Sequence, residues 1–519
     1  MVEEAQATAR APGGRRGRGV VVGVLLALAL GVVLRFVTRS DLWLDEALTV
    51  NIAKLPLGQL HDALRHDGAP PAYYLLLHGW ISAFGSGDVS VRFLSGFFGL
   101  VSLPLAWFAG RRLGGRAVAW AAVLVLASSP YAIRYSTETR MYSLVILLVL
   151  AAYLLLLRVL EHPTLARTAP LALVTGLLLY TQYWSIYLLL VVGAGLVVRA
   201  VRSRGDERRA AVSALVALAA GCVLFVPWLP TFSYQLQHTG TPWGSAVAPP
   251  TAFGVTFIEF SGGEHAETVV LIVLLVVLAL LGLFGTAAGG RHVDLDLRTR
   301  PTVRWETATL LGALAVGTTW SFLGDSAFQG RYAAIVFPLF VLAVAAGTAV
   351  FGDRRVYAGV VAAVVLLGLV GGVRNAWTHR TQAYQVAAKI DDAATGARPG
   401  DVVVYCPDQV GPAVSRLLDR PDRLRQMVFP TGAAPDRIDW VDYAKRNTQA
   451  DPEAFAQSVL RAAGTHDVWY VYAPGYKTFE GKCEALQAAL QTARPHPVPL
   501  VLPDSQLFEF QGLVRYPGS

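Results

Sequence analysis

Charge is what this 519-residue chain has least of: Asp, Glu, Lys and Arg make up 15% of it, where a soluble domain carries about a quarter. With 54% hydrophobic residues and a mean hydropathy of +0.46, a soluble globular class is excluded. Cysteine is scarce too, three in all, which rules out a disulfide framework or a Cys-built metal site. Cys222 falls in an apolar run and reads as a small core residue, whereas Cys406 and Cys483 could bridge or stay as thiols. No H-E-x-x-H occurs, and Gly411 stands alone after a C-terminal strand without a G-x-G-x-x-G run, so a nucleotide site there is not expected. No fixed-period repeat is present. The opening RRGRGVVVGVLLALALGVVLRF lacks a small-residue cleavage site, so a retained first helix is expected rather than a signal peptide.

What is present is apolar mass in blocks of about 20 residues, the length that crosses a bilayer core as a helix. Eleven blocks run over about 19–37, 89–110, 117–133, 141–158, 169–181, 183–199, 210–229, 268–287, 305–323, 332–350 and 356–373. Arginine clusters in alternate connections, among them GGRRGRG, RRLGGR and AVRSRGDERR, and these should face the cytoplasm. The net charge of +8 is therefore a topology signal, not a nucleic-acid footprint. An odd span count puts residues 374–519 outside. The expected architecture is a polytopic α-helical membrane protein of the plasma (inner) membrane. It comprises a basic cytoplasmic tail (1–18), a transmembrane unit (19–373) with a first outer loop at 38–88, and an extracytoplasmic α/β domain (374–519). In the last, VVVYC and DVWYVY read as buried strands and CEALQAALQTA as a helix.

Ionisable residues near spans are costly and mark function by default. Here Asp45, Glu46, His66, Asp67, Arg134, Glu138, Arg140 and Arg331 all fall at outer helix ends or in outer loops. That pattern favours an outer-face site over a midplane transport site. A sugar donor on that side would be a sugar linked through phosphate to a polyprenol. Transfer to a hydroxyl needs a carboxylate base and a preorganised cation for the departing phosphate. Asp45-Glu46 in DLWLDEALTV can supply the first, and Arg331, Arg134 and Arg140 the second. Each has a bland alternative: a charge pair at a helix start, an interfacial anchor at Arg331-Tyr332, a Glu138–arginine network. His61-Asp62 and His66-Asp67 could ligate a divalent metal, but the expectation is no metal, with Asp67 fixing a turn or touching the sugar. NIAKLPLGQLHDAL reads as one amphipathic interfacial helix.

In order along the chain, LWLDEA, DGAPPAYYLLLHGW, VRFLSGFFGL, YAIRYSTETRMYSL and GRYAAIVFPL resemble polyprenol-phosphate-sugar-dependent glycosyltransferases of the GT-C fold. The resemblance is to the bacterial branch related to protein O-mannosyltransferases and aminoarabinose transferases, and it covers about residues 19–350. It implies an inverting single displacement with Asp45 as base and Glu46 positioning the acceptor or assisting. It also implies that Arg331, beside Tyr332, contacts the lipid phosphate. Glu138, Arg140 and Tyr142 match the family's Glu-x-Arg-x-Tyr stretch. Many relatives have His-Pro-Pro where this chain has Ala69-Pro70-Pro71, so an acceptor or donor contact made by that His is either missing here or supplied by His66. The donor sugar could be mannose or another hexose or pentose, and the acceptor a glycolipid, polysaccharide or protein. A lipid-linked-sugar transporter (flippase) and a non-catalytic scaffold with an outer sensing domain are the competing readings.

Overall fold

A computed structural model describes residues 14–263, 265–288, 292–299 and 302–518; the N-terminal basic tail thus lies mostly outside the described residues. Sixteen α-helices precede the C-terminal region: α1 Gly14–Val33, α2 Leu44–Ala53, α3 Leu57–Asp67, α4 Ala72–Phe84, α5 Asp88–Ser128, α6 Pro130–Ser136, α7 Tyr142–Glu161 and α8 Leu165–Thr181, then α9 Ser185–Arg202, α10 Gly205–Phe225, α11 Leu229–His238, α12 Pro249–Ser261, α13 Ala266–Phe284, α14 Arg304–Leu323, α15 Phe337–Thr348 and α16 Arg354–Trp377. Among the described residues six helical stretches are long and apolar enough to cross a membrane, and α1, α8 and α15 are shorter apolar helices. Blocks 89–110 and 117–133 share the helical stretch α5, which breaks at Gly114-Gly115 within RRLGGR. Gly115 takes φ +79° there, a value that only glycine adopts without strain.

Helix α15 is buried on every side, as an all-apolar sequence around its circumference requires. It packs so tightly on α13 that a Cβ at Gly347 would lie 1.7 Å from the Leu278 carbonyl oxygen. Small residues permit this backbone approach, the usual device where lipid supplies no hydrophobic drive between helices. A 3₁₀ segment, Gly330–Ile335, leads into α15 and presents Arg331 at its mouth.

Beyond α16 the chain forms a five-stranded sheet, after the small hairpin β1–β2 (Gly285–Ala288 and His292–Leu295). Its strands are β3 Val402–Cys406, β4 Arg425–Val428, β5 Val468–Tyr472, β6 Val498–Val501 and β7 Gly512–Tyr516, in the order β4-β3-β5-β7-β6. Strands β3, β4 and β5 run parallel, while β7 is antiparallel to β5 and β6. All five residues of β3 are buried, which is why it reads as an unbroken apolar run. Cys406, at the end of β3, is bridged to Cys483. The core on one face of this sheet also contains Trp43 and Leu44, from the start of α2. The C-terminal region is therefore built around a piece of the first outer loop.

Candidate active site

The first outer loop holds two short helices where one was expected. Pro56 interrupts NIAKLPLGQLHDAL, so α2 ends at Ala53 and α3 starts at Leu57; proline has no amide hydrogen to carry a helix through. Gly68, at φ +83°, then ends α3. Asp45 and Glu46 occupy the first turn of α2.

Neighbouring residues on a helix point about 100° apart, and here that separates the two carboxylates. Asp45 reaches Arg331, with Oδ2 3.2 Å from Nη2. Glu46 is fully buried and faces Arg92, whose Nε and Nη2 donate to its two oxygens at 2.8 and 2.6 Å. The Thr139 amide donates to Glu46 as well, at 2.8 Å. Glu46 was expected to share in the reaction with Asp45; its oxygens are instead occupied by a buried clamp joining α2, α5 and the turn after α6. A carboxylate bound in this way fixes α2 against α5.

Around Asp45 the cations gather. The Arg331 guanidinium lies 5.3, 5.9 and 6.0 Å from the rings of Trp43, Trp243 and Tyr332, a cation–π cage that holds it in place. Arg140 donates to the Thr49 hydroxyl at 2.7 Å and the Tyr74 hydroxyl at 3.3 Å. Tyr74 in turn donates to Asp67 at 2.7 Å. Arg134, on α6, sits 3.7 Å from Glu259 and 4.0 Å from Glu138. The Nε groups of Arg134, Arg140 and Arg331 are all buried without a hydrogen-bond partner among the described residues. Buried donors normally find acceptors, so these three unpartnered Nε groups leave donor capacity that suits an anionic ligand.

The carboxylates in the outer turns are tuned differently. Burial raises the proton affinity of Glu138 above the ordinary range, opposed by Arg380 and Arg134; Arg380 pairs with it at 3.2 Å. Burial likewise raises Asp67, against the opposing pull of Arg140 and the Tyr74 hydrogen bond. Tyr142 is buried, its ring 4.8 Å from that of Tyr135. The structure therefore brings Asp45, Arg331, Tyr332, Arg134, Glu138, Arg140, Tyr142 and Asp67 into one region.

His66 is the exception. Its Nδ1 lies 2.9 Å from Asp439, in the loop before Tyr443, and its carbonyl accepts from the Trp440 amide. It ties the end of α3 to the C-terminal region. His61 contacts Thr231 and Trp228, and among the described residues no group of three His, Cys, Asp or Glu side chains is gathered as metal ligands.

Residues that no motif flagged complete the site. Glu259 comes from α12, Trp243 from the loop before it, and Arg380 and Glu509 from the C-terminal region. Glu509 accepts from the Leu44 amide at 3.1 Å, where Trp43 offers no side-chain cap to α2. Burial, with added repulsion from Asp45 and Glu46, pushes its carboxyl up to about 8, although the Leu44 amide pulls the other way.

With this geometry in place, likeness to other proteins becomes informative. Residues 68–231 match the family model described as dolichyl-phosphate-mannose-protein mannosyltransferase. The crystal structure of ArnT from Cupriavidus metallidurans in the apo state superposes with a TM-score of 0.62 at 13% identity, covering 97% of this chain and 98% of that one. The same protein bound to undecaprenyl phosphate gives a TM-score of 0.55 at 13% identity, with 98% of each chain covered. The chain has the GT-C fold. The resemblance carried by the five motifs is thereby borne out for the fold, and the GT-C likeness runs through the C-terminal region, which those motifs did not reach. No curated protein sequence matches.

Proposed function

We propose that this chain is a membrane glycosyltransferase that moves a sugar from a polyprenyl-phosphate donor to an acceptor on the outer face. The observation that carries the reading is the Asp45–Arg331 pair, a candidate base and a candidate phosphate ligand 3.2 Å apart. Arg134 and Arg140 stand on the same face with donors free. In the reaction the acceptor hydroxyl loses its proton to Asp45 and its oxygen bonds to the anomeric carbon from one side. The bond from that carbon to the phosphate oxygen breaks on the other side, and its electron pair leaves with the phosphate. Arg331, helped by Arg140 and Arg134, stabilises the charge gained there. A single displacement of this kind inverts the anomeric centre. Glu46 holds α2 through Arg92, and Asp67 orients Arg140 through Tyr74.

The outer-face assignment draws support from the Cys406–Cys483 bridge, since disulfides persist in oxidising compartments. It also follows from arginine-rich connections on the opposite side. The printed neighbours leave the sugar and the acceptor open.

The deciding experiment is transfer from a panel of polyprenyl-phosphate sugars by reconstituted protein, wild type beside Asp45→Asn. Loss of a carboxylate base should slow transfer by roughly 10²-fold or more while the fold survives. Equal movement of labelled lipid across the bilayer by both proteins, with every donor intact, would establish a flippase instead. Equal transfer rates in both would remove Asp45 from the chemistry.

A further inference from the structure

A second polar cavity, of about 170 Å³, opens between the end of α1 and the start of α5. It is distinct from the Asp45 face: its walls include Arg35, Arg39, Asp41, Asp88, Arg92 and Thr137, with Phe36, Val89 and Phe93 at the apolar side. Most of its charges are already satisfied. Arg92 is held by Glu46 and by the carbonyls of Ser40 and Asp41. Asp88 pairs with Arg416 at 2.8 Å. Arg35 donates to the carbonyls of Gly31, Ala127 and Leu126.

Two groups remain. Among the described residues neither the Arg39 guanidinium nor the Asp41 carboxylate makes a side-chain hydrogen bond or ion pair, and they do not pair with each other although two positions apart. Burial and then the nearby Asp88 push Asp41 above the ordinary carboxylate range, against the smaller pull of His379 and Arg92. An exposed cation and a half-buried carboxylate, both unpaired on the wall of one small cavity, are the complement of a zwitterion. The space well exceeds the roughly 10–15 Å³ that a single water needs.

What lies along the cavity decides the class. Val89, Phe93, Phe97 and Leu100 form an exposed stripe down α5, and Leu26, Leu30, Val33 and Val37 form another along α1 and its outer end. A polar cavity at the head of two exposed apolar stripes has the polarity of one phospholipid in the outer leaflet. We propose that this cavity holds the headgroup of a zwitterionic phospholipid bearing a primary ammonium. The phosphate lies on Arg39 and the ammonium donates to Asp41 and the free oxygen of Asp88. A quaternary ammonium could not donate, so phosphocholine should fit poorly.

The test is native mass spectrometry of the full chain released from nanodiscs of equal parts phosphatidylethanolamine, phosphatidylcholine and phosphatidylglycerol. Wild type should retain phosphatidylethanolamine selectively. Arg39→Ala and Asp41→Asn should each cut that retention roughly tenfold, the loss of about 1.4 kcal/mol expected for one charge-assisted hydrogen bond. Thermal unfolding of each variant checks that it is folded, and Arg39→Lys should restore part of the retention. Indifference among the three lipids, or unchanged retention in folded Asp41→Asn, would overturn the proposal. So would retention of phosphatidylglycerol that only Arg39 governs, which marks a plain anion site. Displacement of the lipid by undecaprenyl phosphate would also overturn it, by assigning the cavity to the donor.

Discussion

Asp45 and Glu46 differ by one carbon and one position, yet the helix sends them to opposite tasks. The sequence made the pair conspicuous, because two carboxylates beside Trp43 and Leu44 are costly at a membrane rim. It could not say which would face the cations, since that depends on where α5 places Arg92 and where the 3₁₀ segment places Arg331. On the proposed reading Asp45→Asn is a chemical lesion, and Glu46→Gln a structural one. Removing the Glu46 charge leaves Arg92 buried beside a neutral amide, a change that costs about 3–5 kcal/mol in buried pairs. Glu46→Gln should therefore lower the unfolding temperature markedly, whereas Asp45→Asn should leave it nearly unchanged. The reverse ranking in thermal scans of the two purified variants would mean that the roles have been exchanged. Arg380 was beyond sequence reading for a different cause: its partner Glu138 lies 242 positions away, and no local pattern encodes such a pairing.

At the scale of elements, α2 is the piece on which the site depends, and most of its supports come from elsewhere in the chain. A ten-residue helix is marginal by itself. Trp43 and Leu44 anchor it in the core of the C-terminal sheet, and Glu509 caps its first turn. The strands were legible, because VVVYC and VWYVY are continuous β-branched and aromatic runs. The docking was not, since nothing in DLWLDEALTV distinguishes a tryptophan that meets lipid from one that meets a distant sheet. Trp43→Ala should cost about 3–5 kcal/mol as a large buried aromatic is removed. It should also speed amide exchange across 41–53 more than across α7, and unchanged exchange there would detach α2 from the sheet. Glu509 adds a pH signature. Its carboxyl rises from an ordinary 4.5 to about 8 on folding. The folded state then binds the proton more tightly than the unfolded state, so stability is fullest below about 4.5 and is lost as pH rises towards 8. Glu509→Gln should flatten that fall in denaturation curves taken across the window. A slope identical to wild type would mean that Glu509 is ionised throughout.

For the whole molecule, the eleven apolar blocks each overlap helix, though 268–287 runs on into strand β1, and the Gly114-Gly115 break lies where RRLGGR separates two of them. The blocks could not give the roof over the outer face, because its contacts join loops to a region with no membrane signal. Asn51 donates to the Asp436 carbonyl, Lys477 to that of Gly244, and the Trp440 amide to that of His66. Beneath that roof Asp45 Oδ2 lies 3.2 Å from Arg331 Nη2. On the proposed reading a donor phosphate competes with Asp45 for the Arg331 guanidinium and so frees the carboxylate to meet the acceptor hydroxyl. Donor binding should therefore precede productive acceptor binding. In steady-state kinetics, polyprenyl phosphate should inhibit competitively against the donor and non-competitively against the acceptor. Arg331→Lys, which keeps the charge but loses the planar fork, should raise the donor KM more than the acceptor KM. Competitive inhibition against both substrates would indicate random entry, and would mean that the Asp45–Arg331 pair sets no order on the reaction.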